Sequence, residues 1–122
     1  MFCKNFVSAA ILAAVLIAPL SASADASGNP KAGKAVYENS CQICHGATGR
    51  GDGAAAAALN PKPMNFGDKV KMAKVTEAVM IKAITEGGAA VGASPNMAPF
   101  KETLSAQQIQ DVAAYIRKTF VH

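Results

Sequence analysis

Residues that commonly bind metal ions are scarce in this chain, whose 122 amino acids include three cysteines and two histidines. Cys41, Cys44 and His45 lie within five consecutive positions, whereas Cys3 and His122 lie near the two ends. A structural zinc site takes four ligands, with the second pair at a defined spacing from the first. The sequence provides no such second pair, and a zinc site is therefore not expected.

The sequence also lacks the alternation of apolar and polar residues that marks strands, and its lysines are spread out. A thioredoxin-like dithiol requires a βαβ setting, so the lack of strands argues against one. Nucleic-acid binding needs basic residues clustered on one face, and the spread of the lysines does not support it. The glycine-rich segment 46–53 is not followed by the Lys-Ser/Thr pair of a phosphate-binding loop. We therefore expect none of these functions.

The longest apolar run lies at the N-terminus and has the pattern of a cleavable signal peptide. Lys4 precedes an apolar segment from Phe6 to Leu20, and Ala22-Ser23-Ala24 fits a signal-peptidase site. The alternative is a retained membrane anchor, but the run is alanine-rich and shorter than the ~20 residues that span a bilayer. We therefore expect residues 1–24 to be a signal peptide that is removed on export to the periplasm, with no stable membrane insertion afterwards.

The chain that remains after this cleavage is predicted to form one small domain. Residues 25–29 are expected to be a flexible lead-in, and residues 30–122 the domain itself. Cys3 leaves with the signal peptide. Cys41 and Cys44 then remain, and no disulfide is expected because both have another predicted role, described next. Without Lys4 the chain has 11 basic and 8 acidic residues, a net charge of +3. A domain of this size buries a modest core, so a bound group with a large apolar surface would stabilise it.

The segment Cys41-Gln42-Ile43-Cys44-His45 has the spacing C-x-x-C-H, which is typical of covalent haem attachment. Two thiols separated by two residues suit addition to the adjacent vinyl groups of one haem. The histidine that follows directly then lies below the ring, where it can bind the iron. The sequence therefore predicts one covalently bound haem c, with thioether bonds to Cys41 and Cys44 and with His45 as the proximal iron ligand.

Local signals predict the main helices of an all-α fold. Asn29 followed by Pro30 is typical of a helix start, and the first helix is predicted from Pro30 to Ser40. The second is predicted from Glu77 to Glu86, with Gly87-Gly88 ending it. The third starts at the capping box Ser105-Ala106-Gln107-Gln108. Its apolar face has helical spacing and comprises Ile109, Val112, Ala113 and Ile116. A short helical turn is expected over residues 54–59.

Gly33 lies inside the first predicted helix, where glycine costs up to ~1 kcal/mol relative to alanine. Close approach of a second helix would explain the glycine. Tyr37 shares its helix face because the two residues are four positions apart. We expect the C-terminal helix to cross the first helix at these residues.

The sixth ligand of the iron decides the chemistry, and five residues are candidates. Met97 is favoured because it lies in an irregular loop far enough along the chain to reach the opposite haem face. Met64, between prolines and a phenylalanine, is the main competitor, and His122 or an open site are the remaining options. Met80 is assigned to the core, and Met72 to a lysine-rich surface segment. A thioether ligand raises the reduction potential relative to two histidines.

Pro61 is the candidate for a contact behind the proximal histidine. The segment Asn60-Pro61-Lys62-Pro63 must be largely extended, because a residue that precedes proline is kept out of the helical conformation. An extended segment beside the haem would allow a backbone carbonyl to accept a hydrogen bond from the His45 ring and fix its orientation. Ordinary turn formation is the alternative explanation for these prolines.

The motifs together resemble those of the class I cytochromes c, over about residues 30–120. The shared pattern comprises Gly33, Tyr37, the haem motif with Gly46, Gly51-Asp52-Gly53, Pro61-Lys62-Pro63, Ile84-Thr85, Gly87, Met97 with Pro99-Phe100, and Val112 with Tyr115-Ile116. The resemblance implies three main helices with short helical turns wrapped around one haem. It also implies His45 as the proximal ligand, Met97 as the distal ligand and one exposed haem edge. The link from His45 to Pro61 is longer than in the most compact members.

The function that these features predict is one-electron transfer between larger redox proteins in the periplasm, not enzymatic catalysis. The chain is expected to be a monomer that docks its partners transiently. Docking is expected to be salt-sensitive, with steering charges at Lys62, Lys69, Lys71, Lys74 and Lys101. The alternatives are a haem subunit of a larger oxidoreductase and a sensor or peroxidase with an open iron site.

Overall fold

The computed structural model describes residues 27–122, and the predicted signal peptide lies outside them. Five α-helices follow one another in this part of the chain: α1 (Pro30–Ser40), α2 (Gln42–His45), α3 (Lys69–Met72), α4 (Glu77–Glu86) and α5 (Ala106–Phe120). Short 3-10 helices span Ala56–Ala58 and Gly88–Val91, and residues 27–122 contain no strand. The predicted all-α fold is confirmed, with α1, α4 and α5 as its three main helices.

The three main helices begin where their capping residues predict. The side chain of Asn29 accepts hydrogen bonds from Lys31 N at 3.0 Å and Ala32 N at 3.4 Å. Thr76 caps α4 by accepting from Val79 N at 3.2 Å. Ser105 and Gln108 exchange the reciprocal hydrogen bonds of a capping box, at 3.2 and 2.9 Å. These bonds satisfy N–H groups that have no partner within the helix.

Helices α1 and α5 pack against each other at the position of Gly33. A methyl group added at Gly33 would overlap the backbone carbonyl of Asp111 and approach the Val112 nitrogen. Tyr37 and Val112 are fully buried on the same contact surface. The glycine is therefore explained by the direct approach of a second helix backbone, as its position in the sequence predicts.

Asp111 is a buried carboxylate that holds the start of the domain. It is 7% exposed and accepts hydrogen bonds from Asn29 N at 2.7 Å and from the Gln107 side chain at 2.9 Å. Gly28 lies so close to Gln110 that a methyl group there would overlap its carbonyl. Residues 28 and 29, the end of the predicted lead-in, therefore contact α5.

The lysine-rich segment before α4 is more ordered than the sequence suggests. Asp68 caps α3 by accepting from Lys71 N at 3.1 Å, and Met72, in the same turn, is only 2% exposed. The Arg117 guanidinium donates to the carbonyl of Val75 and ties this segment to α5. Met72 therefore belongs to the core together with Met80, whereas the lysines of this segment and Val70, which is 74% exposed, face solvent.

None of the described helices is both long enough and apolar enough to cross a membrane.

We predict that Gly33→Ala destabilises the protein by about 1–3 kcal/mol, because the added methyl group forces α1 away from α5. Gly67→Ala is the matched control, since a methyl group there would meet only the Asn65 side chain, at 3.2 Å. Its effect should stay within about 0.5 kcal/mol. Denaturant unfolding of both variants measures the difference, and equal stability of the two would contradict the packing described here.

Candidate haem-binding site

Helix α2 brings the residues of the haem motif to one side of a single helical turn. Cys41 joins α1 to α2, and its N–H donates to the carbonyl of Tyr37 at 2.9 Å. Cys44 N and His45 N both donate to the Cys41 carbonyl, at 3.2 and 3.0 Å. Residues three and four positions apart share a helix face. The two thiols and the imidazole therefore lie on the same side of the turn.

The backbone folds back on the motif directly after His45. Gly46 has a φ of 85°, a left-handed conformation that favours glycine, and its carbonyl accepts a hydrogen bond from the buried Tyr37 hydroxyl at 2.7 Å. Gly51 N and Gly53 N then donate to the carbonyls of His45 and Cys44, at 2.8 and 3.1 Å. The loop thus covers the C-terminal end of α2, and Tyr37 links it to the crossing of α1 and α5.

Both thiols are free and partly buried. Burial raises the pKa of Cys41 to about 11, with a smaller contribution from nearby Cys44. Cys41 therefore remains a protonated thiol at neutral pH when no haem is attached. Within residues 27–122, no group of three or more His, Cys, Asp or Glu side chains is placed to hold a metal ion.

The imidazole of His45 is held by two contacts from one neighbouring segment. Its Nδ1 lies 3.2 Å from the carbonyl of Met64, which can only accept, so Nδ1 carries the proton and donates. The ring of Phe66 stacks on the imidazole with centroids 4.6 Å apart and planes 14° apart. Burial lowers the pKa of His45, and the hydrogen bond to Met64 partly opposes this shift. A neutral imidazole protonated at Nδ1 leaves Nε2 as the metal-binding nitrogen.

The carbonyl behind His45 belongs to Met64, which corrects the candidate Pro61. The segment is largely extended, as its prolines predict, but its path brings a later residue to the histidine. Phe66 N donates to the Gly49 carbonyl at 2.8 Å, and Gly51 lies directly against the Pro63 carbonyl. These contacts bring residues 63–66, rather than Pro61, alongside the imidazole.

Met97 lies in a loop that is attached to the end of α4. Its carbonyl accepts from Gly88 N at 2.9 Å, and Phe100 N donates to the Ile84 carbonyl at 2.9 Å. The Met97 side chain is partly buried and packs against the core. His122, another of the candidates, is exposed and lines a surface cavity with Lys69 and Arg117.

The donor set fits one covalently attached haem. Two uncommitted thiols share a helical turn with a histidine whose Nδ1 is engaged and whose Nε2 is available for iron. The remaining evidence comes from comparison with known proteins. The family profile of cytochrome c matches residues 30–120.

The chain belongs to the cytochrome c family.

Among solved structures, this cytochrome c chain is similar to one described as "KustC0563 c-type cytochrome". The two are 26% identical in sequence with a TM-score of 0.57, and the match covers 74% of this chain and 98% of the other. The comparison with curated proteins gives no match. Membership of the family confirms the resemblance and the fold inferred from the sequence, and it is consistent with haem c attached at Cys41 and Cys44.

Sequence reasoning missed the roles of Met64 and Phe66. A backbone carbonyl has no signature of its own in a sequence. The sequence suggests Met64 only as a candidate for the sixth iron ligand, through its sulfur atom. The available signal for Phe66 is its position: it is an aromatic residue that follows a proline-rich extended segment downstream of a haem motif. That signal does not indicate which ring the phenylalanine contacts.

We predict that Tyr37→Phe destabilises the holoprotein by about 1–2 kcal/mol, because the buried Gly46 carbonyl loses its hydrogen-bond donor. Tyr115→Phe is the matched control, since Tyr115 is only partly buried and belongs to the same aromatic cluster. Thermal or denaturant unfolding of the two variants measures the effect. Equal stabilities would show that the Tyr37 hydroxyl does not hold the loop after His45.

Proposed function

We propose that this cytochrome c carries one haem, attached to Cys41 and Cys44 and ligated by His45 and Met97, and passes single electrons between larger redox proteins. When bound, the haem supplies the Fe(II)/Fe(III) couple. The observation that carries the proposal is the set of two free thiols and one oriented neutral imidazole on a single turn of helix. The family match supports the coarser statement that the chain is a haem-containing electron carrier.

The role of the polypeptide in this mechanism is to hold the His45 imidazole in one position and to limit its movement. The Met64 carbonyl keeps Nδ1 of His45 protonated, so that Nε2 would be the nitrogen available to hold the iron. Small changes of geometry on gaining or losing an electron favour rapid transfer, and a ligand fixed by both a hydrogen bond and a stacked ring satisfies that requirement.

The position of Met64 argues against its sulfur as the sixth ligand. Nδ1 of His45 is the nitrogen that faces away from the iron when Nε2 is the ligand, and it is Nδ1 that contacts the Met64 carbonyl. The Met64 backbone therefore lies behind the imidazole, on the proximal side. A sixth ligand approaches from the opposite face, which a methionine side chain starting behind the imidazole does not reach. Of the two competing methionines, Met97 is therefore the better candidate for the sixth ligand.

A haem iron with both axial positions filled has no free site for oxygen or peroxide. The proposed pair of His45 and Met97 therefore favours electron transfer over a sensor or peroxidase. Export to the periplasm is proposed from the sequence of residues 1–24, which fits a signal peptide. We also propose that the protein is a monomer that docks its redox partners transiently.

The distribution of charge suggests how such docking takes place. Segments 39–49, 53–61 and 87–100 contain no Lys, Arg, Asp or Glu, and they include Cys44 and Met97. Hydrogen bonds join the three segments: Ala55 N to Ile43 O at 2.9 Å, and the Asn96 side chain to Asn60 O at 3.2 Å. Lys69, by contrast, lies beside Arg117 and His122. We therefore propose docking through the surface that these uncharged segments form. Lys62 lies at its edge, where its ammonium donates to the Ala56 carbonyl at 3.2 Å, whereas Lys69 takes no part.

The sixth ligand is tested by Met97→Ala. We expect the weak far-red band of sulfur bound to ferric iron to disappear and the reduction potential to fall, because a soft ligand that favours Fe(II) is lost. Carbon monoxide, which the native ferrous protein should not bind, should then bind readily. Met64→Ala is the control and should keep the band. Loss of the band in Met64→Ala and its survival in Met97→Ala would reverse the assignment.

The uncharged docking surface is tested by electron exchange with ferricyanide at different ionic strengths. We expect Ala57→Lys, within this surface, to accelerate reduction of ferricyanide about threefold or more at 10 mM salt, with the gain lost at 500 mM. Ala35→Lys adds the same charge at an exposed position of α1 and should change the rate much less. If both variants respond equally, only net charge matters and no particular surface is used.

A further inference from the structure

Phe66 is placed to control the plane of the His45 imidazole. The two rings are nearly parallel, with centroids 4.6 Å apart and an interplanar angle of 14°. This is the spacing of stacked aromatic rings in contact. The hydrogen bond from Nδ1 to Met64 fixes one atom of the imidazole, but a ring held at one point can still tilt and rotate. A flat ring against its face removes that freedom.

Phe66 is itself held from the other side. Its ring lies nearly parallel to Phe120, with centroids 6.2 Å apart and planes 17° apart. Phe120 in turn contacts the buried ring of Tyr37, at 5.1 Å between centroids. Gly49 lies so close to Phe120 that a methyl group there would approach its ring to 2.7 Å. The three stacked rings of His45, Phe66 and Phe120 therefore have little room to shift.

The backbone of Phe66 is also tied to the loop that follows the haem motif. Its N–H donates to the Gly49 carbonyl at 2.8 Å, and the side chain is only 8% exposed. The hydrogen-bond acceptor Met64 lies two residues earlier in the same segment. One short segment thus supplies both contacts to the imidazole, one at its edge and one at its face.

From this geometry we propose that Phe66 is a positioning residue, whose ring sets the orientation of the His45 imidazole about its bond to iron. The proposal rests on the proposed haem ligation by His45. Phe66 touches neither the iron nor a reaction partner in this account and acts only through the histidine. Because the orientation of an axial imidazole governs how unpaired spin spreads over a ferric haem, the effect is visible in the spectrum without measuring electron transfer.

The test compares the haem-methyl proton resonances of the ferric holoprotein with those of three variants. Phe66→Leu keeps an apolar side chain but removes the flat ring face, and we expect a changed spread of these resonances. Phe66→Tyr keeps the ring face and should retain the wild-type pattern. Phe120→Leu removes the support behind Phe66 and should give a smaller change than Phe66→Leu.

A stability control separates positioning from simple loosening of the core. Ile109→Val, in the buried face of α5 and eleven residues before Phe120, costs about 0.5–1.5 kcal/mol and keeps all the stacked rings, and it should leave the resonances unchanged. If Phe66→Leu matches the wild-type pattern, or if Phe66→Tyr changes it as much as Phe66→Leu, the proposal is wrong. The far-red sulfur band and covalent haem of the wild-type protein report separately on the proposed function, so the two failures are distinguishable.

Discussion

The crossing of α1 and α5 at Gly33 determines where the haem motif lies. With no side chain at this position, the two backbones come into contact and bury Tyr37 one turn before Cys41. Tyr37 then reaches past the motif to hold the Gly46 carbonyl at 2.7 Å. The α1–α5 crossing, the direction of α2 and the loop behind it are therefore fixed by one packed contact. A larger residue at position 33 would disturb all three.

One short segment of the chain supplies both contacts to the His45 imidazole. Residues 63–66 lie against the loop after His45, and from there Met64 and Phe66 contact the edge and face of one imidazole. Burial favours a neutral histidine, and the hydrogen bond to Met64 keeps the proton on Nδ1 and leaves Nε2 free. The same segment places the Met64 backbone beside Nδ1 of the histidine, on the side away from Nε2.

Features encoded by local residues could be predicted from the sequence, whereas those that depend on the path of the chain could not. Helices α1, α4 and α5 start at capping side chains, which act within three residues and leave a clear pattern. The role of Asp111 could not be found this way, because its backbone partner Asn29 lies 82 residues earlier. The sequence predicts a surface position for Met72, because four residues of helix between lysines are too few to show an apolar face. The Met64 carbonyl was missed because the course of residues 49–66 depends on hydrogen bonds between distant backbone groups.

Covalent attachment of haem is the central proposal, and mass spectrometry of the denatured holoprotein, expressed in cells that mature such proteins, tests it. We expect a single species with the mass of the polypeptide plus one haem and no thiol free to react with an alkylating reagent. Acid–acetone extraction should leave the colour with the protein. A colourless polypeptide with both Cys41 and Cys44 open to alkylation would contradict it.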